Sequence, residues 1–361
     1  MSLAIWGLGT ATPEHRIDQE HAARIAQTLL GDGGHDRPVA ALFRRTQVRS
    51  RASVLLERTN GSPTLRGFYR PSFGPEDRGP ATALRMQRYA EEAVPLAAAA
   101  CRRALEAAGL AAPSVTHLLT VSCTGFFAPG VDLALVRQLG LMPSVGRLHV
   151  GFMGCHGALN ALRAAQAIAT SEPQAVVLLC AVELCSLHYQ YGRDAQKLVA
   201  NALFADGAAA MVGRAEPPRS DAWRVVASGS YLLPGDEEGM TWRIGDHGFE
   251  MTLSPRVPQQ IATHLRPWLE SWLASAGLRL DQVGSWAVHP GGPRVLASVT
   301  EALGLPASAV ETSAEVLAEW GNMSSPTVLF VLERLRRLDA PRPCVLLGFG
   351  PGLVAEAALV E

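Results

Sequence analysis

Five short, almost unbroken apolar runs limit what this chain can become. They are Thr116–Ser122, Ala175–Val182, Asp206–Gly213, Pro343–Leu347 and Val354–Val360, rich in Val, Leu and Ala. A strand that is apolar at successive positions is buried on both faces, so helices must cover the sheet on both sides. Helical periodicity fills much of the space between and around them. It marks Asp18–Leu30 with Asp18 as cap, a segment from Ala81 to Ala108 with a kink or break expected at Pro95, and a helix ending at Leu139. Further helices are expected at Val199–Phe204, Val257–Ala276, Pro293–Leu303 and Asn322–Leu338. More strands are expected at Leu3–Gly9, Trp223–Ser230, Phe249–Leu253 and Val283–Val288. Alternating strands and helices of this kind give a layered α/β fold. With 361 residues there is room for two lobes. The expected division is residues 1–215 and 216–361, with the seam at Ala215-Glu216-Pro217-Pro218-Arg219.

Thirty-two basic and 33 acidic residues leave a net charge of −1, which excludes the basic excess of a general nucleic-acid binder. There is no basic leader before the first apolar run and no apolar stretch of membrane-spanning length, so neither secretion nor a membrane is expected. The six cysteines are scattered without a CxxC pair. That argues against a disulfide framework or a metal site, and for reduced thiols in a cytoplasm.

The chemistry centres on Gly151-Phe152-Met153-Gly154-Cys155-His156-Gly157. A strand, Arg147–Val150, enters this glycine-punctuated turn, and an Ala-rich helix leaves it to about Ala169, before the stop Ser171-Glu172-Pro173. Cys155 falls on the helix's first turn, where unpaired N–H groups and the dipole are expected to lower the thiol pKa and favour the reactive thiolate. A buried core cysteine fits the same stretch, since free Cys is often a small hydrophobe. His289 ends the strand Ser285–Val288, and Asn322 follows Trp320-Gly321 at a helix start. All three lie at element termini, where layered α/β folds place their sites. Together they suit acyl transfer through a thioester: the imidazole of His289 is expected to hold Cys155 as a thiolate, and neutral donors from His289 and Asn322 then to stabilise an enolate or oxyanion. A cysteine hydrolase could use the same three residue types. Four arginines crowd Phe43–Arg51, either as a solvated face or as a clamp for a phosphorylated substrate arm. Arg58–Gly79, rich in Gly, Pro, Ser and Arg, reads as a surface excursion.

Several motifs in one order resemble the chalcone synthase-like type III polyketide synthases over nearly the full length. They are Thr10-Ala11-Thr12-Pro13, Gly154-Cys155, Leu203-Phe204-Ala205-Asp206-Gly207, His289-Pro290-Gly291-Gly292-Pro293, Gly321-Asn322-Met323-Ser324-Ser325 and Gly348-Phe349-Gly350-Pro351-Gly352. The resemblance implies a thiolase-like five-layered αβαβα fold of two pseudo-equivalent halves, the first carrying the nucleophile and the second His and Asn, in a cytoplasmic homodimer. It implies acyl-CoA and malonyl-CoA as substrates and no separate cofactor. Cys155 would take the starter acyl group. His289 and Asn322 would promote decarboxylation of malonyl-CoA, and the lengthened chain would cyclise to an aromatic or pyrone product. Phe204 matches the gatekeeping aromatic, and the loop Gly348–Gly352, with Gly350 and Pro351, shapes a cavity wall. Arg45, Arg49 and Arg51 match the basic coenzyme A region, and Ala128 falls on a loop that crosses to a partner chain.

The cavity positions depart from the plant pattern. Cys123, Thr124, His188, Trp242, Met251 and Ser324 stand where plant members carry Thr, Ser, Thr, Gly, Phe and Ser. Trp242 fills volume, His188 adds a titratable group, and the lining looks bacterial. Other residues read as structural: His156 as packing, Cys101, Cys180, Cys185 and Cys344 as core, and Asp206 as a turn residue. Glu183 is either a buried structural acid or an orienting group behind the site. The nearest rival is a β-ketoacyl-ACP synthase of fatty-acid initiation, which would show His-Gln-Ala-Asn in place of His-Pro-Gly-Gly. A catalytically silent scaffold is the third alternative.

Overall fold

The computed structural model describes residues 2–31, 37–59, 62–65, 67–215, 222–235 and 237–361. The chain opens with strand β1 (Leu3–Ala11), β2 (Arg16–Asp18), helices α1 (Gln19–Leu29) and α2 (Arg37–Arg45), and the short strands β3 (Ser50–Ala52), β4 (Leu56–Thr59) and β5 (Ser62–Leu65). Helix α3 (Thr82–Ala108) leads to β6 (His117–Ser122), α4 (Val131–Leu139), β7 (Gly146–Gly151), α5 (Gly157–Ser171), β8 (Val176–Leu184), α6 (Ala195–Leu203) and β9 (Asp206–Arg214). The second half supplies β10 (Trp223–Leu232), the hairpin β11 (Met240–Gly245) and β12 (Gly248–Leu253), α7 (Val257–Ser275) and β13 (Ser285–Val288). It closes with α8 (Pro293–Leu303), α9 (Glu311–Trp320), α10 (Thr327–Arg337), β14 (Cys344–Gly350) and β15 (Val354–Val360).

Nine strands hydrogen-bond in the order β13-β14-β15-β10-β1-β9-β8-β6-β7. Each half repeats one pattern. β6 and β8 are parallel, β8 and β9 antiparallel, and β9 and β1 antiparallel. In the same way β13 and β14 are parallel, β14 and β15 antiparallel, and β15 and β10 antiparallel. The two runs join where β1 meets β10, at Leu3–Ile5 against Trp223–Val225.

Alternation along the strands sorts the core into layers. Leu119, Val177, Leu179 and Met211 from one half and Cys344, Leu346 and Ala358 from the other share a central core with α5 and α10. Leu118, Leu178 and Val212 point the other way, against α3 and α4. Val345, Leu347 and Leu359 point outward onto α7 and α8. The layers therefore run α3/α4, sheet, α5/α10, sheet, α7/α8, the expected five.

Several local expectations are corrected. Pro95 does not break α3, which continues through it. The proline sits on the exposed side, where the carbonyl it leaves unpaired faces water. The last long helix starts at Thr327, because Ser324 takes a left-handed φ of 59° and Pro326 follows. Gly348-Phe349-Gly350 is the buried end of β14, so the glycine loop is confined to 351–353. Within Arg58–Gly79, β4 pairs with β5, and buried Tyr69 donates its hydroxyl to Leu187 O at 2.7 Å. Asp206 is a buried strand residue whose carboxylate accepts from Val54 N and Ser186 N, and burial pushes it up to about 6. Beyond Ala215 the expected seam lies outside the described residues.

Candidate active site

The nucleophile turn follows directly from β7. Gly154 adopts φ 70°, and a Cβ there would lie 2.9 Å from Pro351 Cγ and nearer still to its Cδ, so no larger residue fits. One 3-10 turn, Gly154–His156, carries Cys155 into the start of α5. The sulfur is buried, with Asn322 and Ser324 close enough to hydrogen-bond it. Those contacts favour the thiolate, yet burial wins and pushes the thiol up to about 11. The lowered pKa expected from the helix terminus and from His289 is therefore corrected: Cys155 rests as a thiol.

His289 ends β13, its backbone N donating to Leu347 O at 2.7 Å. Its ring is 1% exposed, and neither ring nitrogen has a partner among the described residues. Burial, with a smaller contribution from His156, drops it to about 3, so the imidazole is neutral. Asn322 is locked by its backbone: its N donates to Leu203 O and its carbonyl accepts from Ala205 N, both 2.9 Å, bridging it to Phe204. Its Oδ1 accepts from Ser324 N at 2.8 Å, and its Nδ2 donates to Gly291 O at 3.3 Å. Cys155, His289 and Asn322 line one pocket of about 40 Å³ with Leu203, Phe204, Met240, Met251 and Phe349. A second, of about 20 Å³, touches the same cysteine from the other side, between Cys123, Thr124, Cys185, Trp242, Ser324 and Pro351. A thiol, an imidazole N–H and a carboxamide facing one small space can pass an acyl group to sulfur and hold a developing oxyanion.

Behind the nucleophile Glu183, next to last in β8, is fully buried. Its carboxylate accepts from Cys123 N (2.9 Å), Thr124 N (3.0 Å), Thr124 Oγ1 (2.7 Å), Ser122 Oγ (3.2 Å) and Ser325 Oγ (2.5 Å). The one acid thus ties the loop after β6 to the segment holding Asn322 and Ser324. Cys123 Sγ accepts from Gly154 N at 2.9 Å, and burial raises this thiol well above its ordinary value.

The hairpin β11–β12 covers the pocket. Trp242 and Met251 are a cross-strand pair, and the Trp242 indole donates to Cys123 O at 2.8 Å. His188 differs from the expectation of a titratable group. Its Nε2 bonds Thr124 O at 2.6 Å and its Nδ1 accepts from Phe249 N at 2.9 Å. Burial drops it to about 3, and it stacks on Phe249 with centroids 4.1 Å apart. Gly350 lies against the His156 ring, and His156 Nδ1 meets Asn160 Oδ1 at 2.7 Å.

The three arginines separate. Arg45 and Arg49 are exposed. Arg51 is buried and faces inward, its guanidinium donating to Asn201 O (2.6 Å) and Phe204 O (3.0 Å), so it is corrected from a surface clamp to a brace behind Phe204. Cys185, read as core, instead lines the pocket, and Met240 and Phe249 were not anticipated. Period-2 alternation from Trp242 and Met251 along the hairpin would have pointed to both.

Residues 2–217 match the profile described as chalcone and stilbene synthases, N-terminal domain, and residues 224–361 match the corresponding C-terminal domain. The chain is 33% identical to the alpha-pyrone synthesis polyketide synthase-like Pks18 of Mycobacterium tuberculosis, over 99% of this chain and 90% of that protein. It is 37% identical to the 1,3,6,8-tetrahydroxynaphthalene synthase of Streptomyces peucetius, over 98% and 91%. The crystal structure of PKS-I from the brown alga Ectocarpus siliculosus superposes with a TM-score of 0.91 at 33% identity, covering 100% of this chain and 98% of that one. The C-terminal type III polyketide synthase domain of Steely1 from Dictyostelium gives 0.88 at 25% identity, covering 100% and 99%.

Proposed function

Since the chain belongs to the chalcone and stilbene synthase family, and is a type III polyketide synthase with the thiolase-like fold, an acyltransferase of decarboxylative condensation, we propose how its own residues divide the work. Cys155 takes the starter: its sulfur attacks the acyl-CoA carbonyl, the C–S bond to coenzyme A breaks, and the thiol proton passes by way of His289 to the departing thiolate. Neutral His289 and Asn322 then donate to the thioester oxygen of malonyl-CoA. Its carboxylate leaves as CO₂, and the electron pair remains as an enolate. The enolate carbon attacks the Cys155 thioester, a carbon–carbon bond forms, and the cysteine sulfur is released for the next round. The observation that carries this reading is that three chain-distant residues, Cys155, His289 and Asn322, line a single pocket.

The raised thiol and lowered imidazole support a neutral resting pair, in which nucleophile formation is coupled to acyl transfer. Exposed Arg45 and Arg49 suit the phosphates of coenzyme A thioesters, the sole cosubstrates in this reading. Cys123, Thr124, His188, Phe204, Trp242, Met251, Ser324, Gly350 and Pro351 shape the space for the growing chain. The printed activities of the relatives, a pyrone synthesis and a tetrahydroxynaphthalene synthesis, support an aromatic or pyrone product. A homodimer is supported by β7, whose outer edge is unpaired among the described residues, with Leu148 and nearby Phe126 and Met153 exposed. No helix among the described residues is long and apolar enough to cross a membrane, and a cytoplasmic site of action is part of the proposal.

Intact-mass detection of acyl adducts, with CO₂ release from malonyl-CoA, tests the roles. Cys155→Ala should carry no adduct, while His289→Gln and Asn322→Ala should load starter yet lose decarboxylation. An adduct persisting in Cys155→Ala overturns the assignment.

A further inference from the structure

Acyl transfer and decarboxylation ask opposite things of one ring. To take the Cys155 proton, the His289 nitrogen nearer the sulfur must be bare. To donate to the malonyl thioester oxygen, that same nitrogen must carry hydrogen. A neutral imidazole bears hydrogen on one nitrogen only, so the far nitrogen must give its hydrogen up between the two steps. We propose that His156 takes it, a positioning residue that sets which His289 nitrogen meets the substrate as an N–H. The inference rests on the acyl-transfer reading above.

The sheet sets the two rings side by side. Ala287 joins the central core and Val288 the outer one, so alternation turns His289 inward, toward α5. Val288 pairs with Leu347, which puts His289 level with Gly348. A Cβ at 348 would lie 3.3 Å from His156 Cβ, and one at 350 would lie 2.6 Å from His156 Nε2. The His156 ring therefore lies along β14, on the face that His289 shares, where two glycines leave it room. Its Nδ1 meets Asn160 Oδ1, and an amide oxygen only accepts, so Nδ1 carries the hydrogen and Nε2 is bare. Among the described residues neither that nitrogen nor either nitrogen of His289 has a partner, although both rings are buried. Buried polar atoms are seldom left so, and these three belong to neighbouring rings.

Glu356 equips His156 to hold a charge. It stands directly across from Gly348 on β15, buried, with Ser230 Oγ donating to it at 2.7 Å and Arg163 at 3.0 Å. Its carboxylate favours a protonated His156 more than Arg163 opposes one, whereas burial and His156 itself both disfavour charge on His289. The exchange balances. After loading, a solvent proton reaches the near nitrogen of His289 as the far hydrogen passes to His156 Nε2, in contact or across one water. His289 stays neutral and now presents an N–H to malonyl-CoA. When condensation frees the Cys155 sulfur as a thiolate, the near hydrogen moves to sulfur and His156 returns its proton to the far nitrogen. Each round consumes one solvent proton, matched by the one that leaves on coenzyme A.

His156→Gln offers the far nitrogen an acceptor but cannot take its proton. It should load starter within about threefold of the wild-type rate, read by rapid quench and intact mass, while CO₂ release from malonyl-CoA falls at least ~30-fold. Glu356→Gln should lower CO₂ release about three- to tenfold and leave loading unchanged. With ¹⁵N-histidine labelling, and His289→Gln to assign the ring, NMR shifts of the acyl-loaded enzyme should show His289 exchanging between tautomers in the wild type and fixed in one in His156→Gln. If His156→Gln does not fold, as read by circular dichroism, the same two rates in Glu356→Gln carry the test. Loading and CO₂ release slowed in equal proportion, CO₂ release unchanged in the folded variants, or a single fixed tautomer in the wild type overturns the proposal. A wild-type enzyme that neither loads starter nor releases CO₂ would instead contradict the roles given to Cys155, His289 and Asn322.

Discussion

Replacing Gly350 by alanine should injure the nucleophile through the turn that carries it. A Cβ at 350 would lie 2.6 Å from His156 Nε2, closer still to its Cδ2, and 2.9 Å from Met153 O. The ring cannot swing aside without losing the 2.7 Å contact to Asn160, and Met153 O is backbone of the turn that presents Cys155. Overpacking of this kind costs about 1–3 kcal/mol, and the lost hydrogen bond adds about 1, so Gly350→Ala should lower stability by roughly 2–4 kcal/mol. His156 and Met153 flank the cysteine, so the strain is felt at the sulfur, where a displacement of ~1 Å costs about a hundredfold in rate. We expect kcat/KM to fall ten- to a hundredfold. His156→Ala alone should cost about 1–3 kcal/mol through its cavity and the orphaned Asn160 oxygen. The double variant gives the new methyl room, so urea denaturation should show it more stable than the sum by at least about 1 kcal/mol. Strict additivity, or a Gly350→Ala enzyme with wild-type stability and rate, would refute the packing argument.

With the Cys155 thiol near 11, the thiolate fraction at pH 7 is ~10⁻⁴ and rises about tenfold per pH unit. Inactivation by iodoacetamide should therefore climb steadily from pH 7 to 10, and His289→Gln should change it little, because that ring is already neutral. A plateau below pH 8 would show a preformed thiolate–imidazolium pair instead. Glu183→Ala should orphan the Cys123 and Thr124 N–H groups and destabilise by about 2–6 kcal/mol, whereas Glu183→Gln keeps an acceptor and should cost clearly less. Because the Glu183 charge opposes a Cys155 thiolate, Glu183→Gln should also quicken alkylation at fixed pH. Equal melting of the two variants would contradict this account of the carboxylate.

The layering was legible because strands covered on both faces have no choice but to be apolar throughout, and the Ala-rich run after Gly157 reads as one buried helix. Cys155, His289 and Asn322 could be picked out because each sits at an element end. What a sequence does not display is direction. Arg51 lies two residues from exposed Arg49, yet β3 turns it inward. Cys185 ends an apolar strand like any core thiol, and only the short turn at 185–188 aims it at the pocket. The ionisation of the site was also hidden, since a helix terminus next to Cys155 suggests a low pKa, and only the depth of burial reverses it. Pro95 was misleading because whether a proline breaks a helix depends on which side faces water.

The hairpin that roofs the pocket belongs to none of the nine sheet strands, and Trp242 and Met251 face each other across it. Trp242 is tied to Cys123 O, whereas the apolar Met251 side chain can be exchanged for another of similar volume with little effect on the sheet layers beneath. In such a molecule the tolerance for change is concentrated where the product is moulded, so a lineage can alter what it makes while leaving how it folds almost untouched.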